Sequence, residues 1–266
     1  MRSLGTMELV YERRGSGPPL VLMHGIGHHW QVWAPVLDLL AEQFDVIAVD
    51  LPGFGASPPL PPGLPYNAET LAYAVEAFWG RLGVSEPHVA GSSLGGYLAL
   101  DMASRGVVLS ATAFSPVGFW SRSELFYGRS VLRLLRAAAM GSPPELVGSP
   151  VGRAFTGGFL VSKPSRVSQK ELVSAVGALR ESVGFDDTLD SFLWMAPPPP
   201  PKVPIMVAWG EHDRLLPRRQ AVRAGRWAQQ RVMLLKGCGH LPMSDDPELV
   251  ARVIMDGARE PIRSVG

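Results

Sequence analysis

Short apolar runs alternate with stretches of helical periodicity along most of the chain. The runs are flanked by Gly, Pro or Asp and contain β-branched side chains, which favours buried strands over buried helices. These predicted strands are Leu20–Met23, Val46–Val49, His88–Ala90, Val107–Ala113, Val203–Trp209 and Val232–Leu235. Predicted helices are Gln31–Ala41, Ala68–Leu82, Leu94–Ser104, Arg218–Ala228 and Pro247–Met255. This alternation predicts an α/β fold with a mostly parallel sheet between two helical layers.

The alternation is interrupted between residues 116 and 201. Ser168 and Glu171 form a capping-box pattern there, and Pro197–Pro201 cannot be helical, which marks a boundary. We therefore expect a helical insert over residues 116–201 and a core built from residues 1–115 and 202–266. Three arginines in the insert repeat at helical spacing, which predicts a solvent-exposed face: Arg129, Arg133 and Arg136.

Composition and charge exclude several classes of function. Residues with hydrophobic side chains make up 46% of the chain, enough for a packed core, yet no apolar run has the roughly 18 residues of a membrane span. The first residues lack the apolar region of a secretory signal, so we expect a cytoplasmic protein. A net charge of +1 without a dense basic cluster argues against nucleic-acid binding.

The sequence contains no clear cofactor-binding or metal-binding motif. The single cysteine, Cys238, cannot form an intramolecular disulfide or a cysteine-based zinc site. Gly25 and Gly27, followed by Asp50, imitate a dinucleotide-binding fingerprint, but Trp30 stands where its third glycine belongs. We expect no cofactor and no metal.

One motif carries most of the chemical information. Gly91-Ser92-Ser93-Leu94-Gly95 has the form G-x-S-x-G and lies between a predicted strand and a predicted helix. A sharp strand-to-helix turn there would present the Ser93 hydroxyl at the carboxyl edge of the sheet, where ligands of such folds bind. The sequence therefore predicts a nucleophilic serine at position 93.

A nucleophilic serine needs a base and a carboxylate that orients the base. His240 follows the last predicted strand and Asp213 follows the strand before it, so both are expected at the same edge as Ser93. The chain order Ser93, Asp213, His240 is typical of hydrolases with this turn. Asp245 and Asp246 are better explained as helix caps.

These motifs together resemble the α/β-hydrolase superfamily, in the subgroup with a helical cap. The matching segments are His24–Gly27, Asp50–Ser57, Gly91–Gly96, Gly210–Asp213 and Gly239–His240. The resemblance implies Ser93 as nucleophile, His240 as general base and acid, Asp213 as its orienting carboxylate, and the N–H groups of Ile26 and Leu94 as an oxyanion hole. It implies a structural role for Asp50–Ser57.

The resulting hypothesis is a serine hydrolase that cleaves an ester, thioester or related acyl bond of a small to medium, apolar molecule. A carbon–carbon hydrolase of ring-cleavage products and a ligand-binding receptor with negligible turnover remain alternatives. The candidate pocket residues are His28, Phe119, Trp120, Phe126, Trp194 and Leu241, and Phe155 and Phe159 are further aromatic candidates in the insert. The sequence does not predict an oligomeric state.

Overall fold

A single sheet runs through the part of the chain that the computed structural model describes, residues 7–142, 149 and 158–259. Its strands are β1 (Tyr11–Arg14), β2 (Pro19–Met23), β3 (Asp45–Val49), β4 (His88–Ser92), β5 (Ser110–Phe114), β6 (Ile205–Gly210) and β7 (Met233–Leu235). Their spatial order is β1-β3-β2-β4-β5-β6-β7, and only β1 is antiparallel to its neighbour. The predicted α/β fold with a mostly parallel sheet is confirmed.

Helices cover both faces of this sheet. The core helices are α1 (Ala34–Ala41), α2 (Ala68–Arg81), α3 (Leu94–Arg105), α7 (Arg219–Ala228), α8 (Pro242–Asp245) and α9 (Pro247–Arg259), and a 3-10 turn at Trp30–Trp33 precedes α1. Leu20 and Leu22 of β2 pack in the cluster that contains α1 and α9, whereas Val21 and Met23 pack in the one that contains α2 and α3. Apolar residues on both faces explain why β2 is a continuous hydrophobic run.

Further helices lie between β5 and β6: α4 (Arg122–Gly141), α5 (Gln169–Glu181) and α6 (Phe185–Ser191), with 3-10 turns at Pro164–Arg166 and Phe192–Trp194. Ser168 and Glu171 form the predicted capping box at the start of α5. The proline-rich segment is non-helical, and its carbonyls at Pro198 and Pro199 accept hydrogen bonds from Trp227 and Ser104 of the core. The division into core and insert at residues 116 and 201 stays a prediction.

The sequence-based prediction missed one strand and misplaced the end of the last helix. The edge strand β1 was missed because its sequence, Tyr-Glu-Arg-Arg, is polar and only half-buried. The last helix was predicted to end at Met255, yet α9 continues through Gly257 to Arg259. A Cβ at Gly257 would lie 2.4 Å from Thr112 Oγ1, so glycine serves close helix–sheet packing there. Asp246 does cap α9, since its Oδ1 accepts the Leu249 N–H at 3.0 Å.

Among the described helices, none is long and apolar enough to cross a membrane.

Candidate active site

Ser93 lies on a sharp turn between β4 and α3. Its φ is +56° and its ψ is −111°, a conformation that is strained for a residue with a side chain. A Cβ at Gly91 would lie 2.0 Å from the Gly95 carbonyl oxygen, and one at Gly95 would lie 2.2 Å from the Met23 carbonyl oxygen. The two glycines of the motif are therefore required for the close approach of helix and strand that forms this turn.

His240 and Asp213 form a buried pair at the same edge of the sheet. His240 Nδ1 donates to Asp213 Oδ2 at 2.8 Å, while Asp213 Oδ1 accepts the N–H groups of Leu215 at 3.0 Å and Leu216 at 2.8 Å. A proton on Nδ1 leaves Nε2 as the ring nitrogen that can accept a proton. The carboxylate is thus fixed on both sides and holds the ring in one tautomer.

Close contact between the loops after β6 and β7 brings this pair together. The His212 N–H donates to the Cys238 carbonyl at 2.8 Å, and a Cβ at Gly210 would lie 2.0 Å from the Gly239 carbonyl oxygen. Neighbouring parallel strands end at the same edge, so their following loops meet. The chain order alone does not reveal this contact.

The segment after β2 contributes backbone N–H groups near Ser93. A Cβ at Gly25 would lie 3.1 Å from the Ser93 Cβ, a tight contact that glycine avoids. His24 Nδ1 donates to the Gly25 carbonyl at 2.7 Å, which directs the Ile26 N–H of the same planar peptide the opposite way. Within the described residues, neither the Ile26 nor the Leu94 N–H has a hydrogen-bond acceptor.

An apolar cavity of about 70 Å³ contains the candidate groups. Ser93, His240 and Ile26 line it, together with side chains from α4 and α5. These helix residues are Leu132, Leu135, Ala139, Leu172, Ala175, Val176 and Leu179. A neighbouring cavity of about 420 Å³ shares His28 and Leu241 with it. Helices from between β5 and β6 thus form one wall of the cavity that contains Ser93.

The pocket residues proposed from the sequence divide into two groups. His28 and Leu241 line the cavity of about 70 Å³, and Trp120 lines a smaller one that also reaches Ser93. Phe119 is instead buried against Trp227, with ring centroids 5.4 Å apart.

The other aromatic predictions need correction. Phe126 is 76% exposed and Trp194 is 88% exposed, and neither lines these cavities, because each points away from the helix face that packs on the core. Phe159 lines none of these cavities, and Phe155 lies outside the described residues.

Asp245 has a role that sequence reasoning missed. It was interpreted as a helix cap, but it is buried and accepts the N–H groups of Ser162, Lys163 and Gly239 at 2.7–3.0 Å. It therefore anchors the residue next to His240 to the segment that precedes α5. No local pattern signals such a long-range partner.

Burial sets the charge of two histidines beside Ser93. Desolvation, with a smaller contribution from the neighbouring histidines, lowers the pKa of His28 to about 3. Desolvation also lowers the pKa of His24, whose Nε2 accepts the Leu51 N–H at 2.9 Å. Both rings are therefore neutral at pH 7. In the described part of the chain, no cluster of three or more His, Cys, Asp or Glu side chains is arranged to hold a metal ion.

The free energy of unfolding should consequently decrease as the pH drops below about 6.5, which is the pKa of a histidine in the unfolded chain. Because the folded pKa is lower, the unfolded state binds more protons in this range, and the free energy of unfolding decreases as pH drops. We expect a loss of about 1.4 kcal/mol per pH unit for each ring, measured by urea denaturation between about pH 6 and pH 4. In the variant His28→Gln, the pH dependence should be weaker by about 1.4 kcal/mol per pH unit, the contribution of one ring. An unchanged pH dependence would contradict the lowered pKa of His28.

A family model described as the alpha/beta hydrolase family matches residues 20–253. The chain belongs to the alpha/beta hydrolase family. Its sequence is 28% identical over 270 residues to the pimeloyl-[acyl-carrier protein] methyl ester esterase of Aeromonas hydrophila, covering 93% of this chain and 98% of that relative.

Solved structures agree with this membership. A membrane phospholipase A, described as a bacterial virulence factor, is similar with a TM-score of 0.75 and 27% identity, covering 97% of this chain and 89% of the other. A thermophilic esterase from Thermogutta terrifontis has a TM-score of 0.74 and 22% identity, covering 94% and 92% of the two chains. The second likeness shows a shared fold. The chain is therefore an alpha/beta hydrolase in sequence and in architecture.

Proposed function

We propose that this alpha/beta hydrolase is a serine esterase acting on small to medium, largely apolar acyl compounds. The observation that carries the proposal is the buried His240–Asp213 hydrogen bond in a cavity that Ser93 also lines. A serine on a strained turn, a histidine held in the tautomer that accepts a proton, and unpaired N–H groups beside them are the parts that acyl transfer requires. Each part comes from a different loop at the carboxyl edge of the sheet.

The reaction would proceed in two halves. Ser93 Oγ attacks the carbonyl carbon while His240 Nε2 takes the hydroxyl proton, and Asp213 stabilises the charged ring. The Ile26 and Leu94 N–H groups donate to the oxyanion. The bond to the leaving alcohol breaks and the alcohol takes the proton from His240, which leaves the acyl group on Ser93. Water, deprotonated by His240, then releases the acid and restores the serine.

The shape and lining of the cavity support an acyl compound of modest size. Its walls are mostly leucine, valine and alanine, and its volume is about 70 Å³, whereas the adjoining cavity of about 420 Å³ could hold a larger leaving group. The esterase named among its relatives cleaves a methyl ester. We therefore favour ester hydrolysis over cleavage of a carbon–carbon bond as the reaction of this protein. A thioester would be attacked in the same way.

Hydrolysis of short p-nitrophenyl esters by the purified protein tests this proposal. We expect steady turnover, inhibition by a fluorophosphonate, and one phosphonate adduct that peptide mass spectrometry locates on Ser93. An adduct on another residue, or none, would refute Ser93 as nucleophile. A single burst without later turnover would instead identify a receptor that becomes acylated.

A further inference from the structure

A second, smaller cavity reaches Ser93 from the side of α4. Its volume is about 10 Å³, and its walls include Trp120, Phe192 and Leu216. Among the described residues that line it, Ser93 and Arg129 alone carry a hydroxyl or a charged group. The cavity thus has apolar walls, a candidate nucleophile and one guanidinium.

Arg129 is mostly buried, although its helical spacing predicted a solvent-exposed face. Its side chain is 13% exposed, whereas that of Arg133, one turn along α4, is 57% exposed. The Nε atom of Arg129 is buried and has no hydrogen-bond partner among the described residues. A buried donor of this kind costs free energy unless an acceptor reaches it.

The charges around Arg129 are not balanced. Its Nη2 pairs with Asp190, and the same Asp190 Oδ1 also accepts Nη2 of Arg133 at 3.0 Å. Two guanidiniums therefore share one carboxylate, which leaves one positive charge in excess. A second carboxylate would complete this group and satisfy the buried Nε–H.

We propose that Arg129 binds a carboxylate on the acyl part of the substrate, so that the preferred substrates are half-esters of short dicarboxylic acids. This inference rests on the proposed function and narrows its substrate class. The carboxylate alone would enter this cavity, which has room for about one water-sized group, and would pair with the guanidinium there, since burying a carboxylate without a partner is costly. The methylene groups would lie against Leu132 and Leu215, which line both this cavity and the one of about 70 Å³. Because Ser93 and Arg129 line the same small cavity, the chain between ester and acid must be short.

The test compares two series of esters with the full-length protein. Monomethyl esters of succinic, glutaric and adipic acid carry the carboxylate, and methyl esters of butanoic, pentanoic and hexanoic acid lack it. We expect the wild-type protein to favour at least one half-ester over the neutral ester of equal length by about tenfold or more in kcat/KM. The preference should arise mainly in KM, because the ion pair forms on binding.

The variant Arg129→Met removes the charge but keeps a long apolar side chain. The variant Arg129→Lys keeps the charge but lacks the planar guanidinium group with its paired N–H donors. The ratio of half-ester to neutral-ester kcat/KM should fall by about tenfold or more in Arg129→Met and by less in Arg129→Lys. Arg133→Met removes the exposed guanidinium that shares Asp190, and with it the excess charge, but leaves the buried Arg129 Nε–H in place. Its ratio should therefore fall by less than that of Arg129→Met, by about fivefold at most.

Several outcomes would overturn the inference. A wild-type preference for the neutral esters would do so, and that measurement holds even when Arg129→Met fails to fold. Equal loss of both activities in a folded Arg129→Met protein would assign Arg129 a structural role only. Cleavage of the neutral esters alone would contradict this inference but agree with the proposed function. Cleavage of neither series would contradict both.

Discussion

Replacing Ser93 with alanine is expected to lower kcat/KM for p-nitrophenyl esters by about 10⁴-fold or more while the protein stays folded. The substitution removes the oxygen that would form the acyl-enzyme but leaves the His240–Asp213 pair and the cavity in place. A loss of this size corresponds to about 5.5 kcal/mol of transition-state stabilisation. Steady-state rates, with circular dichroism and thermal melting to check folding, provide the measurement.

Ser92→Ala is the matched control for this prediction. Ser92 is the preceding residue, and its hydroxyl is buried without a hydrogen-bond partner among the described residues. Removing an unpaired hydroxyl should leave stability and turnover nearly unchanged. Turnover retained by folded Ser93→Ala, or lost by folded Ser92→Ala, would place the nucleophile elsewhere.

Much of the fold could be predicted because parallel strands are buried on both faces. The apolar run over Val46–Val49 coincides with β3 apart from one residue, since every side chain in it packs against one of the two helical layers. The run that begins at Val107 overestimates β5, which starts at Ser110, because apolar residues also occur in the loop before it. Apolar character identifies burial, and hydrogen bonds to the neighbouring strand decide where a strand begins.

The candidate site was predictable where a motif or the end of a predicted strand fixes the position of a side chain, as for Ser93, Asp213 and His240. The G-x-S-x-G pattern predicts the turn at Ser93, and the structure shows that turn with its positive φ. Helical spacing in α4 could not show that Arg129 is mostly buried while Arg133 is exposed, because the element that packs on a helix decides this. Asp245 was hidden for the same reason, since its partners come from a segment about eighty residues earlier in the chain.

The hydrogen bonds of Asp213 make a second large effect predictable. Its Oδ1 accepts two backbone N–H groups and its Oδ2 accepts the His240 Nδ1–H. In Asp213→Asn the amide oxygen must stay with the two N–H groups, because the alternative orientation would place an NH₂ group against two donors. The NH₂ group then faces His240 Nδ1, which can only accept. The ring proton moves to Nε2, so His240 can no longer take the proton of Ser93.

We therefore expect Asp213→Asn to lower kcat by about 10⁴-fold at pH 7, as loss of the orienting carboxylate does in a serine protease with this arrangement. The fold should persist, because the side chain keeps its shape and its two backbone hydrogen bonds. Glu211→Gln is the matched control in the same loop: Glu211 accepts the Gly237 N–H at 3.0 Å, which a glutamine oxygen can also do, and kcat should change little. If folded Asp213→Asn keeps a tenth or more of the wild-type kcat, the tautomer of His240 does not depend on Asp213, and the carboxylate has no part in the chemistry at Ser93.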